Sequence, residues 1–240
     1  MNRYLTAGLG LLIAAVLAAP SAAQEAGKSF YLDPADVDLI HILAPPPAPD
    51  SPAGKADLEA VLAAVRARTD AEITHVREDD LRVVFRFADV MGPNFQSDSL
   101  PFTTQFFKHV YGDGNAATLA AKSYFKRQRP FVVDPDIKII VDQKPDFSYP
   151  SNHSTFGYEI AILLADMVPE KAPAIFERAA DYGHNRVIAG VHFPTDVEGG
   201  RIAASVIDNA LLHNARFMTD FERAKSEVRA ALGLSAASNQ

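Results

Sequence analysis

Apolar side chains return along this chain at helical intervals. After Ser51-Pro52, which places a capping residue before a proline at the first helical position, Leu58, Val61, Leu62 and Val65 recur three and four apart. That spacing lines one face of an α-helix and gives it a side to bury. Comparable runs predict helices over about residues 80–91, 99–111, 116–128, 154–167, 170–188 and 196–217, with a last one over 220–232. Val83, Val84, Phe85 and Phe87 also suit a strand, yet no other alternating segment offers them a partner. The expected class is all-α, a single-domain helical bundle.

The N-terminal region breaks the pattern. Arg3, an apolar stretch from about Leu9 to Ala19 and the small residues Ser21, Ala22 and Ala23 predict a signal peptide over residues 1–23. The apolar run falls short of the ~20 residues that span a bilayer, so cleavage and periplasmic localisation are expected rather than a retained anchor. The domain would then occupy residues 24–240, a length of 217 that lets one core form. Its first part, residues 24–53, is proline-rich around Ala44-Pro45-Pro46-Pro47 and shows no sustained period, which predicts an extended arm. Residues 235–240 read as a frayed tail.

Charge narrows the partners. With Arg3 removed, 22 basic side chains stand against 30 acidic ones, a net charge of −8. Nucleic acid and anionic membrane surfaces are therefore excluded as main partners, and any positive charge at a site has to be local. The chain has no cysteine, which rules out thiolate metal sites, cysteine nucleophiles and disulfides. Its histidines form no cluster resembling a di-metal site, so neither metal nor cofactor is expected. Assembly into a homo-oligomer stays open.

Three blocks carry chemistry. Lys122 and Arg129, seven apart and followed by Pro130, would face one side of a continuous helix and address one anion; Lys126 and Arg127 nearby make a solvated basic stripe the plainer alternative. Pro150-Ser151-Asn152-His153 opens a helix whose N-terminal N–H groups suit an anion, with a hydroxyl from Ser151 and a proton donor in His153. An ordinary Ser cap beside an incidental histidine fits the same residues. Arg186, His192 and Asp196 supply a guanidinium, an imidazole and a carboxylate able to orient it. A core histidine and a capping aspartate would look the same. Pro194 places His192 in a loop and Asp196 in the first turn after it.

Taken together, KxxxxxxRP, PSxH and RxxxxxHxxxD resemble the signature shared by bacterial class A non-specific acid phosphatases, type 2 phosphatidic acid phosphatases and vanadium haloperoxidases. The likeness to the class A acid phosphatases is narrower. It rests on Ala121-Lys122-Ser123-Tyr124, Arg129-Pro130-Phe131, Ser148-Tyr149-Pro150-Ser151 and Arg186-Val187-Ile188-Ala189-Gly190-Val191-His192, and spans roughly Pro45 to Ala204. The chain departs from the family at Asn152, where Gly is usual, and at Asn185, where Ser is usual.

The resemblance implies an all-helical fold of the acid phosphatase/vanadium haloperoxidase type and a secreted phosphomonoesterase acting on small phosphate monoesters. It further implies that His192 is the nucleophile forming a phosphohistidine, that Asp196 orients it and that His153 is the general acid and base. Lys122, Arg129, Ser151, Asn152 and Arg186 would hold the phosphate. One histidine neutral and one protonated would give a bell-shaped pH profile with an acidic to near-neutral optimum. A vanadate-dependent haloperoxidase with the same pocket and a non-catalytic periplasmic phosphate-binding protein are the competing readings. His184 could border the pocket but also suits a surface position. His41, His75, His109 and His213 read as structural or surface.

Overall fold

The structure is a computed structural model and describes residues 30–235. The expected signal peptide and residues 236–240 lie outside the described residues. Ten α-helices follow one another among the described residues, with no β-strand: α1 (Leu39–Ile42), α2 (Pro52–Ala67), α3 (Asp70–Glu78), α4 (Ala88–Met91), α5 (Pro101–Phe125), α6 (Pro130–Val133), α7 (Asn152–Met167), α8 (Ala172–Ile188), α9 (Pro194–Leu212) and α10 (Ala215–Ala231).

Local capping chemistry starts most of the long helices. Ser51 accepts the Gly54 N–H at 3.1 Å and Pro52 opens α2, as the sequence predicts. Ser151 caps α7 and Asn214 caps α10 by accepting N–H groups three residues on, at 3.3 and 3.0 Å. Proline opens α5 and α9, where its missing N–H costs nothing.

Helix α7 is the axis of the fold, flanked by α5, α8 and α9. Its buried residues, among them Phe156, Ile160, Leu163, Leu164 and Met167, face several directions because neighbours cover it on several sides. Helix α9 crosses close to its start: a Cβ on Gly200 would come within 2.6 Å of the Ser151 carbonyl oxygen. Only a residue without a side chain permits that approach. Tyr31, Phe106, Phe217 and Phe221 close the core where α5 and α10 meet.

Several expected elements differ. The helices expected over 99–111 and 116–128 are one continuous α5, about 37 Å long at 1.5 Å per residue over its 25 residues. Tertiary contacts override the weak helix formers at its middle. The Asp113 carboxylate accepts the Phe30 and Tyr31 N–H groups at 2.5 and 2.9 Å, and Gly114 lies against the buried Glu159. The helix expected over 80–91 is a charged turn, a 3-10 turn at Val84–Phe87 and then short α4; Asp79 and Asp80 are held by arginines of α8, which pins the chain out of helical geometry. The helix expected over 196–217 ends at Leu212, and the last one begins at Ala215 rather than near 220, because Asn214 caps it.

Helix α3 had no counterpart in the expected pattern. Thr69 and Glu72 form a capping box in which the Thr69 N–H donates to Glu72 at 2.6 Å. Within the proline-rich segment, a 3-10 turn at Pro34–Asp36 and α1 interrupt the extended course, and Leu39 and Leu43 are buried under it. Tyr149 ties this segment down by donating to the Ala44 carbonyl at 2.7 Å.

Candidate active site

Helix α5 ends where Lys126 turns left-handed, with φ 51°, so Lys122 and Arg129 do not share the continuous helix that their spacing suggested. They meet nonetheless. Lys122 in the last turn of α5, Arg129 capping α6, Asn152 and His153 opening α7, and His192 in the loop before α9 line one cavity of about 440 Å3. Ser151, Arg186 and Asp196 lie behind that wall, buried at 0% exposure.

Pro194 starts α9 and leaves His192 in the loop ahead of it, as the sequence predicts. Gly190 takes φ +79° to make the turn out of α8, a conformation that L side chains rarely adopt. From that loop the two nitrogens of His192 meet different partners. Nε2 accepts from Arg129 Nη1 at 3.0 Å, while Nδ1 faces the Asp196 Oδ2 at 3.3 Å and Ser148 Oγ at 3.4 Å. An arginine can only donate, so the network assigns the proton to Nδ1 and leaves Nε2 unprotonated, its lone pair accepting from Arg129 at the cavity wall.

Asp196 is fixed on every side. Its Oδ2 accepts the Phe193 N–H at 2.8 Å and the Ser148 hydroxyl, and its Oδ1 accepts from Arg127 at 2.6 Å. Arg127 reaches on to Asp57 at 2.7 Å and lies over the Phe193 ring at 4.1 Å. The carboxylate that orients the imidazole is itself held in place.

The cations differ in how much of their hydrogen-bonding capacity the protein uses. Lys122 donates to the carbonyls of Phe147 and Ser148, both at 2.9 Å. Arg129 pairs with Asp146 at 2.6 Å and donates to the Val191 carbonyl at 2.8 Å. Arg186 spends Nη1 on Asp80 at 2.9 Å, and its buried Nε and Nη2 have no protein partner. A buried guanidinium with two unused donors is costly unless an acceptor such as an oxyanion meets them.

Burial governs the titration of the site. It pushes Lys122 down to about 7, and the Arg129 charge adds to the effect. His192 is held well below the usual imidazole value by burial and then by Arg129 and Lys122. Burial, then Arg186 and Arg82, does the same to His153, whose Nε2 lies 3.1 Å from the Asp80 carbonyl oxygen. The shared direction favours the neutral form of both imidazoles while the cavity holds no anion.

The Ser151 hydroxyl serves as the cap of α7, and its N–H donates to the Asp196 carbonyl at 2.9 Å, which joins the second block to the third. Asn152 has no left-handed backbone; its amide donates to Asn115 at 2.8 Å, and its Oδ1 is buried without a partner. Asn185 faces away, donating to Asp79 at 2.8 Å. His184 is exposed and does not line the cavity. The residues that sequence reasoning passed over are Arg127, set aside with a basic stripe, and Asp80, Arg82, Asn115 and Asp146 of the cavity wall. The run Lys126-Arg127 marked the first, but its partner Asp57 lies seventy positions away.

Among the described residues, His75, Asp79 and Asp181 form a group able to approach a metal ion, with His75 Nε2 at 2.7 Å from Asp181. Asp79 is already neutralised by Arg178 at 2.5 Å and Arg86 at 2.9 Å, which leaves it poorly suited to a metal. None of the three lines the cavity.

Comparison with known proteins identifies the family. The PAP2 superfamily profile matches residues 106–218. A non-specific acid phosphatase of Salmonella typhimurium is 30% identical over 218 residues, 85% of this chain and 84% of its own length. An acid phosphatase of Zymomonas mobilis is 30% identical over 203 residues, 81% of this chain and 76% of its own. A bacterial vanadium-dependent iodoperoxidase shares the fold with a TM-score of 0.52 at 19% identity, covering 69% of this chain and 52% of that one. No helix among the described residues is long and apolar enough to cross a membrane. The chain is an all-α enzyme of the PAP2 superfamily and belongs, within it, to the acid phosphatases.

Proposed function

We propose that this phosphatase is exported to the periplasm and hydrolyses small phosphate monoesters through a phosphohistidine on His192, without metal or other cofactor. The observation that carries the reading is the two-sided hold on His192. Asp196 and Ser148 face its Nδ1, and Arg129 Nη1 lies 3.0 Å from its Nε2. A phosphoryl oxygen that takes over the Arg129 Nη1 hydrogen bond frees the Nε2 lone pair and brings phosphorus beside it.

A monoester near neutral pH is close to a dianion, and its transfer asks the protein chiefly for positioning and charge stabilisation. Lys122 and Arg129 bind the equatorial oxygens from the cavity wall, and the unused Nε and Nη2 of Arg186 complete the cradle from behind. Asn152 and the first N–H groups of α7 add neutral donors. The bound dianion offsets the burial and the cations that keep His153 neutral, and the ring takes up a proton.

Nε2 of His192 then forms a bond to phosphorus as the ester P–O bond breaks, and His153 gives its proton to the leaving oxygen. In the second step His153 takes a proton from water, the water oxygen bonds to phosphorus and the N–P bond breaks. Inorganic phosphate leaves, His153 releases the proton to solvent as the dianion departs, and both histidines return to their starting state. The depressed titration of His192 keeps its nucleophile unprotonated into the acidic range, which supports an acidic optimum.

The test is hydrolysis of p-nitrophenyl phosphate with EDTA present, together with alkali-quenched detection of a phosphorylated enzyme. Wild type should turn over and carry acid-labile phosphate on His192, and His192→Ala should do neither. A His192→Ala variant that keeps a tenth of the rate would overturn the nucleophile; loss in EDTA that zinc or magnesium restores would overturn metal independence.

A further inference from the structure

A second cavity of about 320 Å3, almost entirely apolar, adjoins the phosphate cavity and is used by no step above. The same three segments build both. On α5, Lys122 and Asn115 line the phosphate cavity, Tyr111 lines both, and Phe107 and Thr104 line the apolar one. On α7, His153 belongs to the first and Phe156, one turn further, to the second. In the 80–85 segment, Asp80 faces the first, Val83 and Val84 the second, and Arg82 both.

The two cavities therefore adjoin along a shared wall of Arg82 and Tyr111. The Arg82 guanidinium carbon stands 5.0 Å from the centre of the Tyr111 ring. From Asn115 to Phe107 the pair of cavities covers about 12 Å along α5, at 1.5 Å per residue. We propose that the apolar cavity receives the alcohol portion of the substrate, and that the enzyme prefers phosphate monoesters of aromatic alcohols. This rests on the phosphatase reading, in which His153 protonates the leaving oxygen. The cavity begins one helical turn beyond that residue, on the side where the leaving group must lie.

Its size and walls match a compact ring system. The volume is near the lower end of pockets for small ligands, ~300 Å3, which suits one or two fused rings rather than a long chain. Tyr111 and Phe156 stand edge to face with centroids 5.5 Å apart, presenting ring surface on the α5 and α7 sides. Arg82, packed on Tyr111, adds a guanidinium whose outer face an aromatic group can stack against. A polyhydroxylated alcohol would lose its water against walls that are apolar apart from the side chains of Arg82, Ser97, Thr104 and Lys108.

The experiment compares kcat/KM for 1-naphthyl phosphate and glycerol 2-phosphate in wild type, Thr104→Trp and Val83→Trp. Neither substituted residue belongs to the phosphate cavity, and each tryptophan fills the apolar one. Leaving-group acidity also favours the aryl ester, so the quantity read is the change in the ratio on substitution. In folded variants the naphthyl value should fall about tenfold or more, within the range that one lost apolar contact commands, while the glycerol value stays within about twofold. Should Thr104→Trp fail to fold, Val83→Trp at the exposed rim makes the same comparison. An unchanged ratio in a folded variant overturns the proposal. A wild-type protein inert toward every monoester would instead overturn the phosphatase reading on which it stands.

Discussion

Arg127→Met removes a side chain that touches no part of the phosphate cavity yet should damage both stability and turnover. The guanidinium bridges two carboxylates, Asp196 at 2.6 Å and Asp57 at 2.7 Å, and all three side chains are desolvated, with 9%, 0% and 5% exposure. Breaking a buried pair by removing one partner costs about 3–5 kcal/mol, because the remaining charge stays buried. Loss of the stack on Phe193 adds roughly 0.5–1 kcal/mol. Reorganisation and entering water return part of this, so about 4 kcal/mol is expected, a fall in Tm of roughly 8–16 °C for a domain of this size. Because Arg127 acts through Asp196, turnover should drop about ten- to a hundredfold in kcat with KM little changed, the signature of a disturbed position rather than lost substrate binding. Arg127→Lys should restore part of kcat. Thermal melts and a double-mutant cycle with Asp57→Asn measure the energetics: the double variant should lose at least ~1 kcal/mol less than the two single losses added together. Additivity within ~0.5 kcal/mol, or a loss that falls on KM alone, would refute the reasoning.

Burial pushes Lys122 down to about 7, so the free enzyme loses a cation as pH rises through that value. Competitive inhibition by sulfate, whose charge is constant across the neutral range, should weaken above pH ~7 in wild type and hold steady in Lys122→Arg, since arginine stays charged; parallel profiles would count against the assignment. Glu159 and Asp208 are buried carboxyls, both raised well above the usual carboxylate range, chiefly by burial. Groups raised in the folded state give stability that is full below the unfolded pKa and lost as pH rises through the folded one. Asp208→Asn should therefore melt higher than wild type at neutral pH and flatten the rise in Tm seen on mild acidification; a lower neutral melt with an unchanged slope would contradict this.

What the chain determines by itself about this protein is what neighbouring residues can settle among themselves. Ser51-Pro52 begins α2, and Pro194 separates His192 in its loop from Asp196 in the first turn of α9, because caps and proline act within three or four residues. The apolar periodicity sets an all-helical class, and the three blocks resemble a phosphatase signature that family membership supports. Only tertiary structure decided the rest. Gly112-Asp113-Gly114-Asn115 looks like a break between helices, but Phe30, Tyr31 and Glu159 hold it inside α5. Lys126 turns left-handed, so Lys122 and Arg129 converge from two elements rather than one face. Arg127 belongs to the site because Asp57, seventy residues earlier, folds back to share it with Asp196. Local hydrogen bonds close within a turn and leave their mark on adjacent residues, whereas a desolvated charge takes whatever partner the packed core brings to it.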